Sequence, residues 1–211
     1  PRKRRRILLV FPRYSHSFGT FQHAFPLLGV AAFMPPQGLL LVGALLPKEW
    51  EIRFADENLR PVTPAELAWA EAVFISGMHI QRARIQQLIR RAHAAGKLVV
   101  LGGPSVSAAP EFYPEADLLH CGEAGDATLR LFEHLDLSVK RPPAQLVFRT
   151  GERLNLTEFP CPAYHLAQLN RYMLGSIQFS SGCPFACEFC DIPALYGRSE
   201  ERRVGKECRS R

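Results

Sequence analysis

The sequence predicts an α/β fold in which a doubly wound, five-stranded parallel sheet spans about residues 7–137. Two observations lead to this prediction. Short runs of aliphatic and β-branched residues alternate with stretches of helical periodicity, which is typical of a parallel sheet wrapped by helices. Runs such as Leu98–Leu101 are apolar at every position, as strands are when helices cover both faces of a sheet. The first domain is therefore assigned to residues 1–137.

The strand candidates follow one another at intervals that leave room for a connecting segment between each pair. Each is a short run of β-type residues that ends in a turn or a loop. In chain order they are Ile7–Phe11, Glu51–Ala55, Ala72–Ser76, Leu98–Leu101 and Leu118–Cys121.

Helix signals occupy the gaps between these strands. The tetrapeptide Thr63–Glu66 has the residues of a capping box, with proline at the first helical position. Apolar residues between Ile85 and Ala92 repeat with the spacing of a half-buried helix, and Gly96 follows as a stop signal. Further helices are predicted over Gly38–Leu46 and Ala124–Leu135.

The pattern changes after residue 137. Residues 138–170 contain two adjacent prolines and a hairpin pattern over residues 146–156, which indicate a linker between domains. A strand is predicted over Ser176–Ser180 and leads into a cysteine-rich loop, so a second α/β domain is expected to begin within residues 171–198. Residues 199–211 have no core-forming periodicity and are interpreted as a non-native tail.

The formal net charge of +6 is concentrated at the two ends of the chain. Residues 2–6 contribute +5 and residues 198–211 contribute +3, so the body between them carries −2. A short basic arm on a near-neutral body is typical of a solvated terminus. No nucleic-acid partner is therefore predicted.

No apolar run approaches the roughly 20 residues that a bilayer crossing requires. Residues 24–46 come closest, but three prolines interrupt them. A protein without a transmembrane segment, located in the cytoplasm, is therefore expected. A reducing compartment also fits the six cysteines, three of which fall within eight residues.

Those three cysteines, Cys183, Cys187 and Cys190, form the pattern Cys-x3-Cys-x2-Cys. Thiolates at this spacing can converge on one metal site when they lie on an irregular loop. Zinc sites usually take four protein ligands, and a ferredoxin-type cluster needs a fourth cysteine in regular spacing, which the sequence does not supply. A structural zinc site or an incidental group of buried cysteines remains an alternative.

This spacing, together with a preceding strand and with Phe189 before the last cysteine, resembles the radical S-adenosylmethionine superfamily. The resemblance implies that Cys183, Cys187 and Cys190 bind a [4Fe-4S] cluster, with one iron left open for S-adenosylmethionine. It also implies that Phe189 lies beside the adenine of S-adenosylmethionine. An external one-electron donor such as flavodoxin or ferredoxin is a further expectation from the resemblance.

Small and polar residues follow three of the predicted strands, at the edge of the sheet where parallel sheets bind ligands. Glycine allows close approach of the backbone to a large flat ligand, and serine supplies hydrogen bonds. No dinucleotide or nucleoside triphosphate motif accompanies them. The predicted cofactor contacts are Ser76, Gly77, Gly102, Gly103, Ser105, Gly122 and Glu123.

The order of these loops, in front of the cysteine motif, resembles the Rossmann-like cobalamin-binding domain found in one class of radical enzymes. Ordinary tight turns would account for the same glycines. Many cobalamin domains carry Asp-x-His-x-x-Gly after the first strand, whereas this chain has Tyr14, His16 and Gly19 at those places. A histidine ligand usually needs an acceptor for its second ring nitrogen, so His16 is interpreted as a loop histidine. Met78 and His79 are further candidates to line the same pocket.

Residues 32–40, 54–58 and 187–198 resemble the subgroup of this class that includes hopanoid methylases. The resemblance implies methylation of an unactivated carbon of a lipid or polycyclic substrate, through a 5′-deoxyadenosyl radical and methylcobalamin. An anaerobic oxidative cyclase of the same architecture and a non-catalytic cobalamin or iron–sulfur module are the alternatives. Because most of the expected barrel would lie beyond residue 198, the chain by itself is expected to be inactive.

Overall fold

The computed structural model describes residues 3–185, 187, 188, 190, 192–197, 200 and 201. Six strands form one parallel sheet in the order β2-β1-β3-β4-β5-β6. The bounds are β1 Arg6–Phe11, β2 Glu51–Asp56, β3 Ala72–Ser76, β4 Leu98–Gly102, β5 Leu118–Cys121 and β6 Leu146–Arg149. The predicted α/β fold with a parallel sheet is confirmed, and the five predicted strands are present within one residue of their expected ends.

Helices connect the strands and cover both faces of the sheet. They are α1 Gln37–Leu45, α2 Pro64–Trp69, α3 Arg82–Ala94, α4 Pro104–Ala108 and α5 Asp126–Leu137. The predicted capping box is present, because the Thr63 hydroxyl accepts from Glu66 N–H and the Glu66 carboxylate accepts from Thr63 N–H. The short helix α4 was not predicted. Its five residues begin with proline and are too few to show a helical period.

Two apolar layers flank the sheet, since alternate residues of each strand point to opposite faces. On one face, Leu8, Val73 and Val99 pack with the apolar side of α3. On the other face, Leu9 and Phe74 pack with residues of α1 and α5. This arrangement is the doubly wound architecture that the alternating pattern predicts.

The sheet has six strands rather than five, and the predicted hairpin over residues 146–156 is wrong. Leu146–Arg149 forms β6, which pairs in parallel with β5. The following turn does not lead into an antiparallel return strand along β6. Instead, Gly151 and Glu152 donate their N–H groups to the Asp126 carboxylate at the start of α5. β6 is short and mostly exposed, so its sequence has no buried run that would identify it as part of the main sheet.

Residues 156–174 run back over the first domain in short 3-10 turns. Leu156 and Phe159 pack against Leu41 of α1. Further along, Tyr172 forms a parallel bridge with Ala32. The segment in front of the cysteine loop is therefore packed on the sheet domain.

The described part of the second unit contains little regular structure. The strand predicted over Ser176–Ser180 is reduced to β7, Ser180–Ser181, which pairs antiparallel with β8, Glu200–Glu201. Helix α6 spans Ile192–Tyr196. The start of a barrel and the division of the chain at residues 137, 170 and 198 stay predictions. Within the described ranges, no helix has both the length and the apolar character needed to cross a bilayer.

Candidate functional site at the carboxyl ends of the strands

A cavity of about 420 Å³ opens at the carboxyl ends of β1, β3, β4 and β5. The chain reverses direction across the sheet at β1, because β2 lies on one side of this strand and β3 on the other. In open parallel sheets such a switch point is where ligands bind, since the loops diverge there and leave a crevice. The residues between Met34 and Gly38, which lead into α1, close one side of the cavity.

Most of the predicted cofactor contacts meet in this cavity. Its described lining includes Ser76, Gly77, Gly102, Gly103, Gly122 and Glu123, and also Met78. The three loops converge because β3, β4 and β5 are neighbours in the sheet and end at the same edge. Their assignment as contacts to a cofactor stays a prediction.

Ser105 lies beneath the loop and is 2% exposed. Its hydroxyl is hydrogen-bonded to Nδ1 of His79 at 2.7 Å and to the hydroxyl of Tyr113 at 2.5 Å. Its polar group is therefore engaged with other protein groups, and Ser105 is not part of the described lining of the cavity. In this structure it supports the glycine loop from below.

Gly103 brings two of the loops into close contact. Its φ of +92° and ψ of −176° lie in a region that is essentially restricted to glycine. A Cβ at this position would lie 2.4 Å from the Ser76 hydroxyl oxygen. The absence of a side chain at Gly103 therefore allows the Ser76 hydroxyl to remain where the cavity is formed.

The inner wall of the cavity is apolar and lies between the sheet and helices α1 and α5. Phe74 and Val100 contribute from the strands, and Leu131 and Phe132 contribute from α5. A mostly apolar pocket with a few polar groups at defined places is the usual form of a small-molecule site.

The wall also contains two polar residues, His120 and Thr128, that were not predicted from the sequence. His120 Nε2 lies 2.9 Å from the Thr128 hydroxyl, which also accepts the N–H of Gly125 at 3.0 Å. Burial lowers the pKa of His120 below its usual value, so the ring is neutral at pH 7. The sequence feature that could have identified His120 is the presence of a histidine in the otherwise apolar strand Leu118–Cys121.

A buried carboxylate, Asp56, anchors the segment in front of the cysteine loop. The Tyr172 hydroxyl donates to Asp56 Oδ2 at 2.9 Å, and the side chain of Asn58 donates to Oδ1 at 2.7 Å. Burial is the main reason that the pKa of Asp56 is raised, and these hydrogen bonds oppose the rise. Since Asp56 ends β2 next to the switch point, this contact ties residue 172 to the edge of the sheet that carries the cavity.

The three predicted ligand cysteines lie on one loop beside this edge. Cys183 and Cys190 are half-buried and Cys187 is exposed. The loop is closed at its base, where Cys183 N–H donates to the carbonyl of Gly197 at 3.3 Å. Leu195 and Tyr196, which follow the loop, line the cavity. The cysteine loop and the strand-end cavity are therefore adjacent.

Among the residues described, no three His, Cys, Asp or Glu side chains converge closely enough to hold a metal ion. Thiolates repel one another, and metal sites often form only when the metal binds, because the ion supplies the free energy that brings its ligands together. The donor set, three thiols within eight residues, nevertheless has the chemistry that an iron–sulfur cluster requires. Ligation by Cys183, Cys187 and Cys190 stays a prediction, and Phe189 lies outside the described residues.

His16 is exposed and lies edge-on to His23, with 6.3 Å between the ring centroids. It is not part of the described cavity lining. This position agrees with its interpretation as a loop histidine, although the identity of an axial ligand stays unassigned.

The chain matches no protein-family model. It is 61% identical over 204 residues, or 96% of its length, to the hopanoid C-2 methylase of Rhodopseudomonas palustris (strain TIE-1). It is 42% identical over 195 residues, or 92% of its length, to an uncharacterized methyltransferase of Synechocystis sp.. A bacteriochlorophyllide d C-12(1)-methyltransferase of Chlorobaculum tepidum is 24% identical over 94% of the chain.

The chain spans 39%, 36% and 42% of the lengths of these three relatives, respectively. The similarity thus covers nearly all of this chain but only a part of each relative. Within that limit, the proteins that this chain resembles are methyltransferases.

Proposed function

We propose that the chain is the cofactor-binding part of a cobalamin-dependent radical S-adenosylmethionine methyltransferase that acts on an unactivated carbon. The observation that carries the proposal is the adjacency of two features. A loop with three cysteines lies beside a ligand-sized cavity at the strand ends, and the residues that follow this loop line the cavity. The methyltransferase names of the relatives support the same reaction class.

The cavity supports the cobalamin part of the proposal. Its volume of about 420 Å³ lies in the usual range for ligand pockets, and it matches an arm of a large cofactor better than the whole molecule. The nucleotide arm of cobalamin, with its flat base, suits the apolar wall formed by Phe74, Leu131 and Phe132. Ser76 and His120 would hydrogen-bond to the polar atoms of that arm.

The cysteines support the iron–sulfur part. Cys183, Cys187 and Cys190 would hold a [4Fe-4S] cluster and leave one iron free for the amino and carboxylate groups of S-adenosylmethionine. The chemistry that the bound groups supply is reductive cleavage of S-adenosylmethionine at the cluster and methyl donation from cobalamin. An external one-electron donor such as flavodoxin or ferredoxin would serve the cluster.

The chain's own residues orient these groups and limit water at the point where they meet. Cys187 is exposed, and in this proposal it would be one of the three residues that hold the cluster. Leu195 and Tyr196 line the cavity next to the loop and would limit the access of water there. Phe189 would stack beside the adenine.

The substrate proposed is a lipid or another polycyclic molecule. The relative with 61% identity carries a name that specifies methylation of a hopanoid, and the Chlorobaculum relative carries a name that specifies methylation of a bacteriochlorophyllide. These names favour methylation over radical cyclisation. A non-catalytic module would bind the same groups without cleaving S-adenosylmethionine.

The test uses the full-length protein, reconstituted without oxygen with iron, sulfide and cobalamin and supplied with a reductant. Formation of 5′-deoxyadenosine and transfer of labelled methyl to a polycyclic lipid are expected. Cys187→Ala should abolish 5′-deoxyadenosine formation and leave the visible spectrum of bound cobalamin unchanged. Cys161→Ala is the matched control, because Cys161 is an exposed cysteine outside the loop. A cluster-loaded wild type that makes no 5′-deoxyadenosine would refute the radical mechanism.

A further inference from the structure

Glu123 occupies the loop after β5 and lines the cavity, but its side chain is turned toward other protein groups. Its Oε1 accepts from the Ser181 hydroxyl at 2.7 Å, and its Oε2 accepts from Arg153 Nη1 at 3.1 Å. The Glu123 side chain is only 13% exposed, whereas the Arg153 side chain is 38% exposed, so the carboxylate is shielded from water more than its guanidinium partner is. Both carboxylate oxygens are thus already engaged.

These two contacts reach the two ends of the cysteine loop. Ser181 lies two residues before Cys183. Arg153 Nη1 also donates to the carbonyl of Tyr196, which follows the last cysteine by six residues. One carboxylate therefore holds the incoming end of the loop directly and the outgoing end through a guanidinium.

Other contacts show that this arrangement is tightly packed. A Cβ at Gly197 would lie 2.6 Å from Arg153 Nη2, so the guanidinium lies directly against the backbone at the loop's end. The Thr150 hydroxyl donates to the carbonyl of Glu123 at 2.7 Å and fixes the backbone of Glu123 itself. The pKa of Tyr196 is raised by burial and then by the nearby charge of Glu123.

Arg153 is in turn fixed to the sheet domain. It forms an antiparallel bridge with Gly125, and the neighbouring Leu154 N–H donates to the carbonyl of Ala124 at 3.0 Å. The group that holds the loop is therefore attached to the start of α5, which forms one wall of the cavity.

We propose that Glu123 is a positioning residue that sets the cysteine loop relative to the cavity, with Arg153, Ser181 and Tyr196 completing a clamp. This inference rests on the proposed function, in which the groups held by the loop and by the cavity must meet a common substrate. It assigns Glu123 a role in addition to the contact with a cofactor that the sequence predicts, which stays a prediction. Charge-assisted hydrogen bonds suit such a role, because they are short and directional.

The first arm of the test needs no cofactor. Hydrogen exchange is measured on the cofactor-free full-length protein for peptides that cover residues 179–184 and 194–197. Glu123→Gln should make exchange in both peptides about tenfold faster, the factor expected when charge-assisted hydrogen bonds are lost. Glu152→Gln is the matched control, because Glu152 is an exposed carboxylate one residue from Arg153. If Glu123→Gln leaves exchange in the two loop peptides unchanged, the clamp is refuted. Exchange in β3 and β4 serves as the folding control and should be the same in the variant and in wild type.

The second arm measures coupling in the reconstituted enzyme, as the ratio of 5′-deoxyadenosine to methylated product. A misplaced loop should still cleave S-adenosylmethionine but transfer methyl poorly, so Glu123→Gln should raise this ratio about tenfold when both proteins are compared at saturating cobalamin. Equal ratios in an active wild type and in the variant would refute the positioning role. A wild type that makes no 5′-deoxyadenosine would instead refute the proposed function, and the exchange data would still decide whether the clamp exists.

Discussion

Replacing Gly103 with alanine tests whether the close approach of two strand-end loops forms the cavity. Gly103 has a backbone conformation that costs other residues about 1–3 kcal/mol. The added Cβ would lie 2.4 Å from the Ser76 hydroxyl and 3.3 Å from the Gly77 nitrogen, and overpacking of this kind costs about 1–3 kcal/mol. Alanine also restricts the unfolded chain, which offsets about 0.4–1 kcal/mol.

The net expectation for Gly103→Ala is a loss of about 2–4 kcal/mol in the free energy of unfolding. For a chain of this size that corresponds to a fall in Tm of roughly 5–15 °C. Urea unfolding of the 211-residue chain, followed by circular dichroism at 25 °C, measures the free energy directly. Ser76 must also move, so the affinity for cobalamin, the proposed ligand of the cavity, should fall.

The neighbouring glycine supplies a matched control. A Cβ at Gly102 would lie 3.7 Å from the carbonyl oxygen of His120, which is an ordinary contact. Gly102→Ala should therefore change the free energy of unfolding by less than about 0.5 kcal/mol. Equal stability of Gly103→Ala and wild type, or equal destabilisation by both substitutions, would refute the reasoning.

Two further predictions concern carboxylates outside the cavity. Hydrogen bonds from Arg60 at 2.6 and 2.9 Å are the main reason that the pKa of Glu66 is lowered to about 2. A lowered pKa in the folded state contributes stability above pH 4.5 that is lost as the pH falls toward 2. Glu66→Gln should therefore have a lower free energy of unfolding than wild type at pH 7. In urea titrations at pH 3.5 the difference between the two proteins should be smaller. A difference that stays the same at both pH values would contradict this. The fully buried Glu57 side chain accepts two 2.6 Å hydrogen bonds from Arg84. Arg84→Met should lower the free energy of unfolding by about 3 kcal/mol. The control, Arg90→Met, changes an exposed arginine and should alter this free energy by less than about 0.5 kcal/mol. Similar losses in both variants would count against a special role for the buried pair.

The central strands of the sheet could be predicted because their continuous apolar sequences indicate burial on both faces. Leu98–Leu101 is apolar at every position, and the structure covers it on both faces. β6 was not predictable, since Val147 is 51% exposed and its partner in β5 lies 28 positions earlier in the chain. Nothing local distinguishes such an edge strand from one arm of a hairpin.

The candidate site likewise contains some residues that could be predicted from the sequence and others that could not. Ser76 and Gly103 could be predicted because small residues directly after buried strands must meet at one edge of a parallel sheet. Thr128 could not, because its place in the cavity depends on how α5 lies against the sheet. Glu123 could be placed in the cavity by the same argument, but its hydrogen bond to Ser181 could not be predicted, since no spacing in the sequence relates two residues 58 positions apart.

The strand order also bears on the sequence of events during synthesis of the chain. From β4 onward each strand pairs with the strand before it in the chain, so the sheet can grow in step with translation at about 5–20 residues per second. Cys121, 1% exposed in the finished sheet, is enclosed by strands that are all synthesised before Cys183 emerges. The buried part of the sheet can therefore be complete before the loop cysteines are synthesised.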